Sequence, residues 1–261
     1  EIIASGKVVE IKDENGKVVG NMKKLTIETA EELALKMRMM LRVGASEPLN
    51  MKTALRQLNI MTIYRPLSDG TWGLSLKSND GKMFMLVSSN ATRGSQHFTI
   101  AHEFFHLFFD DNPKPHFCKL TMSGDVAERS ANMFASALLM PKEGLSYNIP
   151  ANELISKTVS VDTALRLEQL YGVSHSTLIV RLKELKLISP QNAESLMNLR
   201  IRQEASLRGY DRSLYHKGNE NLVLGDYGSK AKRLFDEERI SEGHYLELMR
   251  KIGYGESEDN S

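Results

Sequence analysis

Cysteine is nearly missing from this chain. Cys118 is the single one in 261 residues, so no intrachain disulfide framework holds the fold, as suits a reducing cytosol. Long apolar runs are missing too: no stretch approaches the roughly 20 residues that span a bilayer. Residues 1–24 also lack the basic-then-apolar pattern of a secretory signal. No membrane partner and a cytoplasmic location are therefore expected. Charge of one sign is not in excess either, since 34 Lys+Arg stand against 33 Asp+Glu for a net charge of +1. The whole chain offers no basic field for nucleic acid, and any such contact has to be read locally. What remains, 41% hydrophobic and 26% charged residues, suits a globular protein with one or two cored domains.

Turn and period signals divide the chain into four parts. Residues 1–24 hold two short β-branched runs around Asn15-Gly16 and read as a hairpin appendage, because that pair tolerates positive φ. Residues 25–150 read as an α+β domain. A helix over 26–44 carries Leu33, Leu35, Met37, Met40 and Leu41 as its stripe, and a short helix follows at 51–58. Strands at 60–65, 72–77 and 82–88, the last two joined by "SNDG", are expected to form a small antiparallel sheet before the central helix. Helices at 95–109 and 125–140 follow, Pro141 stops the second, and 143–152 reads as a linker. Residues 151–190 hold a helix-turn-helix-like module. Residues 191–261 form a helical C-terminal region, with a polar stretch at 202–222, a helical pair at 226–252 and a frayed tail.

The stretch "FTIAHEFFHLFFDDN", residues 98–112, puts ionisable groups into an oily helix. His102 and His106 stand four apart, so both imidazoles leave one face and two nitrogens can reach one metal ion. Glu103 points about 100° around the helix, where it can hold a metal-bound water without being a ligand. As ordinary core residues the triplet would bring unpaired charge in among Phe98, Ile100, Ala101, Phe104, Phe105, Leu107, Phe108 and Phe109, which is costly. Metal coordination removes that cost.

A catalytic zinc takes a third protein ligand and keeps one open position. Asp110, Asp111, His116, Cys118, Asp125 and Glu128 are the candidates downstream. The Asp pair also serves as a helix stop, and His116 and Cys118 stand in a proline-bounded loop. Glu128 has the better argument. In "GDVAERSANMFASALLMP" it falls beside Ala131 and Ala135 on the apolar face, while Arg129, Ser130, Met133 and Ser136 take the other side. The alanines let this helix approach the first closely. Asn132, one turn later, could hydrogen-bond a liganding histidine. A plain salt bridge is the competing role for Glu128.

"FTIAHEFFH" followed by "ERSANMFASALLMP" resembles the zinc-peptidase signature of the ImmA/IrrE family. The resemblance covers 28–190 and, more weakly, 225–253. It implies a zincin-like fold, with His102, His106 and Glu128 as metal ligands and Glu103 as the catalytic carboxylate. It implies zinc, with manganese as the alternative, and metal-assisted amide hydrolysis of a protein substrate, a helix-turn-helix repressor in a stress or mobile-element response. Phe105 departs from the small residue the family often has there, which is expected to alter packing beside the cleft. Arg93, His97 and His116 are candidates to stabilise the oxyanion, and 82–90 is the candidate edge strand for an extended substrate.

In "TALRLEQLYGVSHSTLIVRLKELKLIS" two helices flank the turn Gly172-Val173-Ser174. The second carries Arg181, Lys183 and Lys186, too mild a charge to claim DNA on its own. The alternative function is a DNA-binding or repressor-binding regulator with a non-catalytic metal site. An intact Glu103 argues against it, because a structural zinc site has no use for a general base. The oligomeric state is not legible in the sequence.

Overall fold

A computed structural model of the protein describes residues 8–12, 18–23, 25–68, 70–110, 118–119 and 126–252. The chain opens with an antiparallel hairpin, β1 (Val8–Lys12) and β2 (Val18–Lys23), in which Val9 stands opposite Met22. The hairpin is as expected, and its turn at Asn15-Gly16 lies outside the described residues. Helix α1 (Ile27–Met40) starts where the Thr26 hydroxyl accepts from the Thr29 amide. Its buried side is Ala30, Ala34, Met37 and Leu41, whereas Leu35 and Met40 face solvent, so the expected stripe is corrected. The alanines let α1 lie close to a later helix, and that contact, not the count of large apolar residues, decides which side turns inward.

Helix α2 (Met51–Gln57) leads into β3 (Ile60–Arg65), β4 (Thr71–Lys77) and β5 (Met83–Ser88), followed by α3 (Arg93–Phe108), β6 (Cys118–Lys119) and α4 (Val126–Leu139). The α+β expectation holds, but the sheet is mixed rather than antiparallel. Its order is β6-β4-β5-β3-β7, where β7 is Val223–Leu224, and β5 runs antiparallel to β4 but parallel to β3. The 78–81 turn pairs β5 with β4. Its continuous apolar run "MFMLV" then suits the middle of the sheet, where a strand is covered on both faces. β5 is thereby bonded on both sides, and the expectation of a substrate edge at 82–90 is corrected: on that side of the sheet β4 and then the short β6 lie outside it.

Helices α5 (Lys142–Asn148) and α6 (Ala151–Ser156) replace the expected linker at 143–152. Pro141 and Pro150 sit at their N-caps with φ near −57° and −54°, a geometry that starts a helix as readily as it stops one. Leu145 and Ile149 bury one side of this segment. Helices α7 (Val161–Tyr171) and α8 (His175–Glu184) form the expected pair, with Gly172 in the left-handed region at φ 63°. Helices α9 (Pro190–Met197) and α10 (Ile201–Leu207), a 3₁₀ turn at Ser213–Tyr215, β7, α11 (Tyr227–Asp236) and α12 (Glu242–Arg250) complete the chain.

One hydrophobic core runs from Ala30 through Phe104 and Phe134 to Leu182 and Leu196. Helix α4 lies between α3 and α1, so Ser130 and Ser136, assigned to its outer side, are buried. Its last carbonyls are held by two buried arginines, Arg38 Nη1 on Leu138 O at 2.6 Å and Arg181 Nε on Met140 O at 3.2 Å. Arg181 also pairs with Glu31 and is 2% exposed. This basic residue, counted toward a DNA-facing helix, is therefore spent inside the fold.

A second buried network joins α7, α8 and α9. His175 Nδ1 meets Glu168 Oε1 at 2.6 Å and its Nε2 meets Leu196 O at 2.8 Å, while Tyr215 donates to Glu168 Oε2 at 2.8 Å. Both ring nitrogens face acceptors, so the imidazolium is the fitting form. Burial alone would lower the His175 pKa, but the Glu168 bond and charge and the Leu196 carbonyl outweigh it and raise it. A raised folded pKa means stability that is full below the unfolded value of about 6.5 and lost as pH rises through the folded one. The stability difference between wild type and His175→Gln in urea titrations should therefore be largest, about 2 kcal/mol, below pH 6.5. It should shrink as pH rises past the His175 pKa. A difference that does not change with pH would contradict this assignment.

Candidate metal centre

Helix α3 begins where the Thr92 hydroxyl accepts from the Ser95 amide at 3.3 Å and lies along β4, against which Gly73 allows close approach. A Cβ at Gly73 would stand 2.5 Å from Thr99 Cγ2 and 3.5 Å from Glu103 Oε1. Within this buried helix His102 and His106 turn their Nε2 atoms toward each other, 3.2 Å apart. From α4, Glu128 places Oε2 at 3.4 Å from His102 Nε2 and Oε1 at 3.5 Å from His106 Nε2. The three residues each offer one ligand atom, and all of these lie within 4.8 Å of one another.

The opposite side of each ring fixes what the converging nitrogens carry. His102 Nδ1 stands 2.9 Å from Asn132 Oδ1, and His106 Nδ1 stands 3.0 Å from Asp110 Oδ2. Each Nδ1 donates a proton to its oxygen, which leaves lone pairs on both Nε2 atoms. Two lone pairs at 3.2 Å beside a carboxylate repel unless something positive lies between them. The spacings also match the edges of a tetrahedron, about 3.3 Å, for ligand atoms roughly 2.0–2.1 Å from a zinc-like ion. The donor set, two imidazoles and one carboxylate, therefore fits a divalent transition metal. The surroundings agree. Burial would depress the His106 pKa, yet the bonds to Asp110 and Glu128 and the charge of Glu103 push it up to about 9. The site attracts positive charge, whether a proton or a metal ion.

Glu103 stands apart from this cluster. It is fully buried; its Oε2 accepts from Ser75 Oγ of β4 at 2.5 Å, and its Oε1 is buried with no hydrogen-bond partner among the described residues. A buried carboxylate oxygen left unpaired is costly, and such an oxygen suits a ligand or water.

The structure thus brings together His102, Glu103, His106, Glu128 and Asn132. Arg93 and His97 are elsewhere. Arg93 opens α3 about 13 Å along the axis from His102, where the chain at 216–218 crosses it, and His97 Nδ1 donates to Gly172 O at 2.7 Å. His116, Asp111 and Asp125 lie outside the described residues, and of Cys118 the backbone alone is described. Sequence reasoning missed two participants. Asp110, weighed as a ligand, holds His106 instead, and its i,i+4 spacing was the available signal. Ser75 comes from a strand 28 residues away, and no local spacing announces it.

An HExxH-bearing helix beneath a small mixed sheet, met by a carboxylate from a second helix, defines a zincin-like domain. Residues 55–183 match the model of the IrrE N-terminal-like domain, peptidase family M78. No curated protein matches the chain. Among solved structures it is similar to a Mycobacterium tuberculosis transcriptional regulator, 18% identical with a TM-score of 0.41 over 64% of this chain and 49% of that one. The chain thus spans about half of that protein's length. Among the described residues, no helix is long and apolar enough to cross a membrane.

Proposed function

We propose that this chain is a metal-dependent endopeptidase in which His102, His106 and Glu128 hold the ion and Glu103 is the general base. The observation that carries the reading is the convergence of three ligand atoms from His102, His106 and Glu128, with the buried Glu103 next along α3 and its Oε1 unpaired among the described residues. A divalent ion bound there, zinc by its donor set with manganese as the alternative, supplies Lewis acidity that polarises a carbonyl and acidifies a water. The remaining work falls to the chain's own groups. Asn132 and Asp110 accept from the Nδ1 atoms and so orient both rings with Nε2 toward the ion. Glu103 Oε1 takes a proton from water and returns it to the leaving amide nitrogen. Ser75 keeps the other oxygen occupied, so the carboxylate cannot turn away.

The extended substrate runs along the outer side of β4 by strand addition, where among the described residues β6 pairs at Thr71 and Gly73. Following the ImmA/IrrE resemblance, the substrate is a helix-turn-helix repressor of a stress or mobile-element response. The division into a peptidase domain at 25–150, a module at 151–190 and a helical region at 191–261 is part of the same reading, with the hairpin at 1–24 as an appendage. No observation favours direct DNA binding, since Arg181 is buried in its ion pair.

The test is hydrolysis of a peptide library by the zinc-loaded protein, read by mass spectrometry. New termini that vanish with chelator and return with zinc support the proposal, and an inert zinc-loaded protein overturns it. Ser75→Ala should lower kcat by about tenfold with KM and zinc content unchanged, because orientation of the base and not substrate binding is lost. Ser75→Thr, which keeps the hydroxyl, should restore most of the rate. A Ser75→Ala effect confined to KM would contradict the role given to this serine.

A further inference from the structure

The sheet has a second face, turned away from α3. Along β4 the side chains alternate, so Ser75 reaches Glu103 while its neighbour Leu76 points to the other side and is 38% exposed. Over that face stands the α11–α12 hairpin, and between the two is a cavity of about 910 Å³. Its floor is Met61, Leu76 and Phe84, and its roof is Ala231, Leu234 and Leu248.

The roof is fastened, not loosely laid. At one end Gly225 lies so close to β3 that a Cβ there would stand 3.3 Å from Met61 Cα. At the same end the Arg65 guanidinium binds the carbonyl oxygens of Arg250 and Lys251, where α12 finishes. The open end of the hairpin, where the start of α11 meets the end of α12, is thus tied to β3 at two points. The apolar positions of α11, Tyr227, Ala231 and Leu234, follow one helical face and look into the cavity. Apolar walls held apart forgo the contacts that close packing would supply. A cavity of this size with such walls is what drug-sized ligands occupy.

The mouth decides the ligand's charge. Lys82 pairs with Asp80 there, and Lys230 Nζ stands 2.8 Å from Asp226 Oδ1. Each cation is matched by an anion, so the rim offers no net charge to a charged headgroup. We propose that this cavity is a binding site for an uncharged, predominantly apolar small molecule, separate from the metal centre and on the back of the strand that holds Glu103. This inference does not depend on the peptidase reading.

The test uses the whole chain and the neutral fluorophore N-phenyl-1-naphthylamine. Its emission should rise saturably with one site per chain, and 1-decanol should displace it. Decanoate should displace it at least about tenfold less well, since no unmatched cation receives the carboxylate. Ala231→Trp, which fills the cavity, should abolish binding and leave zinc content unchanged. If that variant does not fold, ¹³C-methyl methionine spectra of the wild type decide the matter. The Met61 and Met83 signals should move with the fluorophore, while those of Met37 and Met140 in the core stay fixed. Non-saturable emission, binding that survives in folded Ala231→Trp, unmoved Met61 and Met83 signals, or equal displacement by decanoate would each overturn the proposal.

Discussion

Glu128→Ala protein should take up zinc far more weakly than the wild type, and the loss should exceed that from either outer partner. Glu128 supplies one of the three ligand atoms, and without it the two imidazoles on α3 have no anionic partner from α4 to complete the set. Asn132→Ala and Asp110→Ala remove the acceptors on Nδ1 instead. They free the rings to turn and to change tautomer, for which about 10–100-fold in affinity is the usual cost. Competition against a chromophoric chelator ranks the variants. The expected order of affinity is wild type, then Asn132→Ala and Asp110→Ala, then Glu128→Ala. Glu128→Ala binding as tightly as wild type would remove Glu128 from the ligand set and leave it in a plain ion pair with the histidines.

The second large effect belongs to Glu103→Gln. The amide is nearly isosteric and can still accept from Ser75, so packing and the metal site should be undisturbed. It cannot take a proton from water, and general-base catalysis is worth about 10²–10⁴-fold. The turnover of a cleavable peptide should fall by about that factor, while KM and zinc affinity stay at wild-type values. A variant that keeps its turnover would move the proton transfer to another group. One that loses zinc as well would make Glu103 a ligand rather than a base.

Much of the site could be read in the chain because it is built on helical spacing. His102 and His106 are four apart, as are Glu128 and Asn132, and each pair marks one face of one helix. Asp110 repeats the spacing from His106, yet its place at a helix end before "DNP" made a stop the simpler reading. Ser75 was invisible for a different reason: its partner lies across a strand–helix contact that tertiary packing alone creates. The same divide explains the sheet. The turn at 78–81 announced that β4 and β5 pair, but which edge β3 would take depends on contacts distant in sequence. Pro141 does end α4, but 143–152 was misread as a linker because the fixed φ of Pro141 and Pro150 also suits the start of the next helix. Arg181 shows the limit of counting charge, since Glu31 and the end of α4 claim it inside the core.

The most direct test of the account compares new protein N-termini in host cells expressing wild type or Glu103→Gln, with and without DNA damage. The account predicts a fragment of one helix-turn-helix repressor with the wild type and its absence with the variant, at equal protein levels and equal zinc content. Matching profiles under every condition would contradict it.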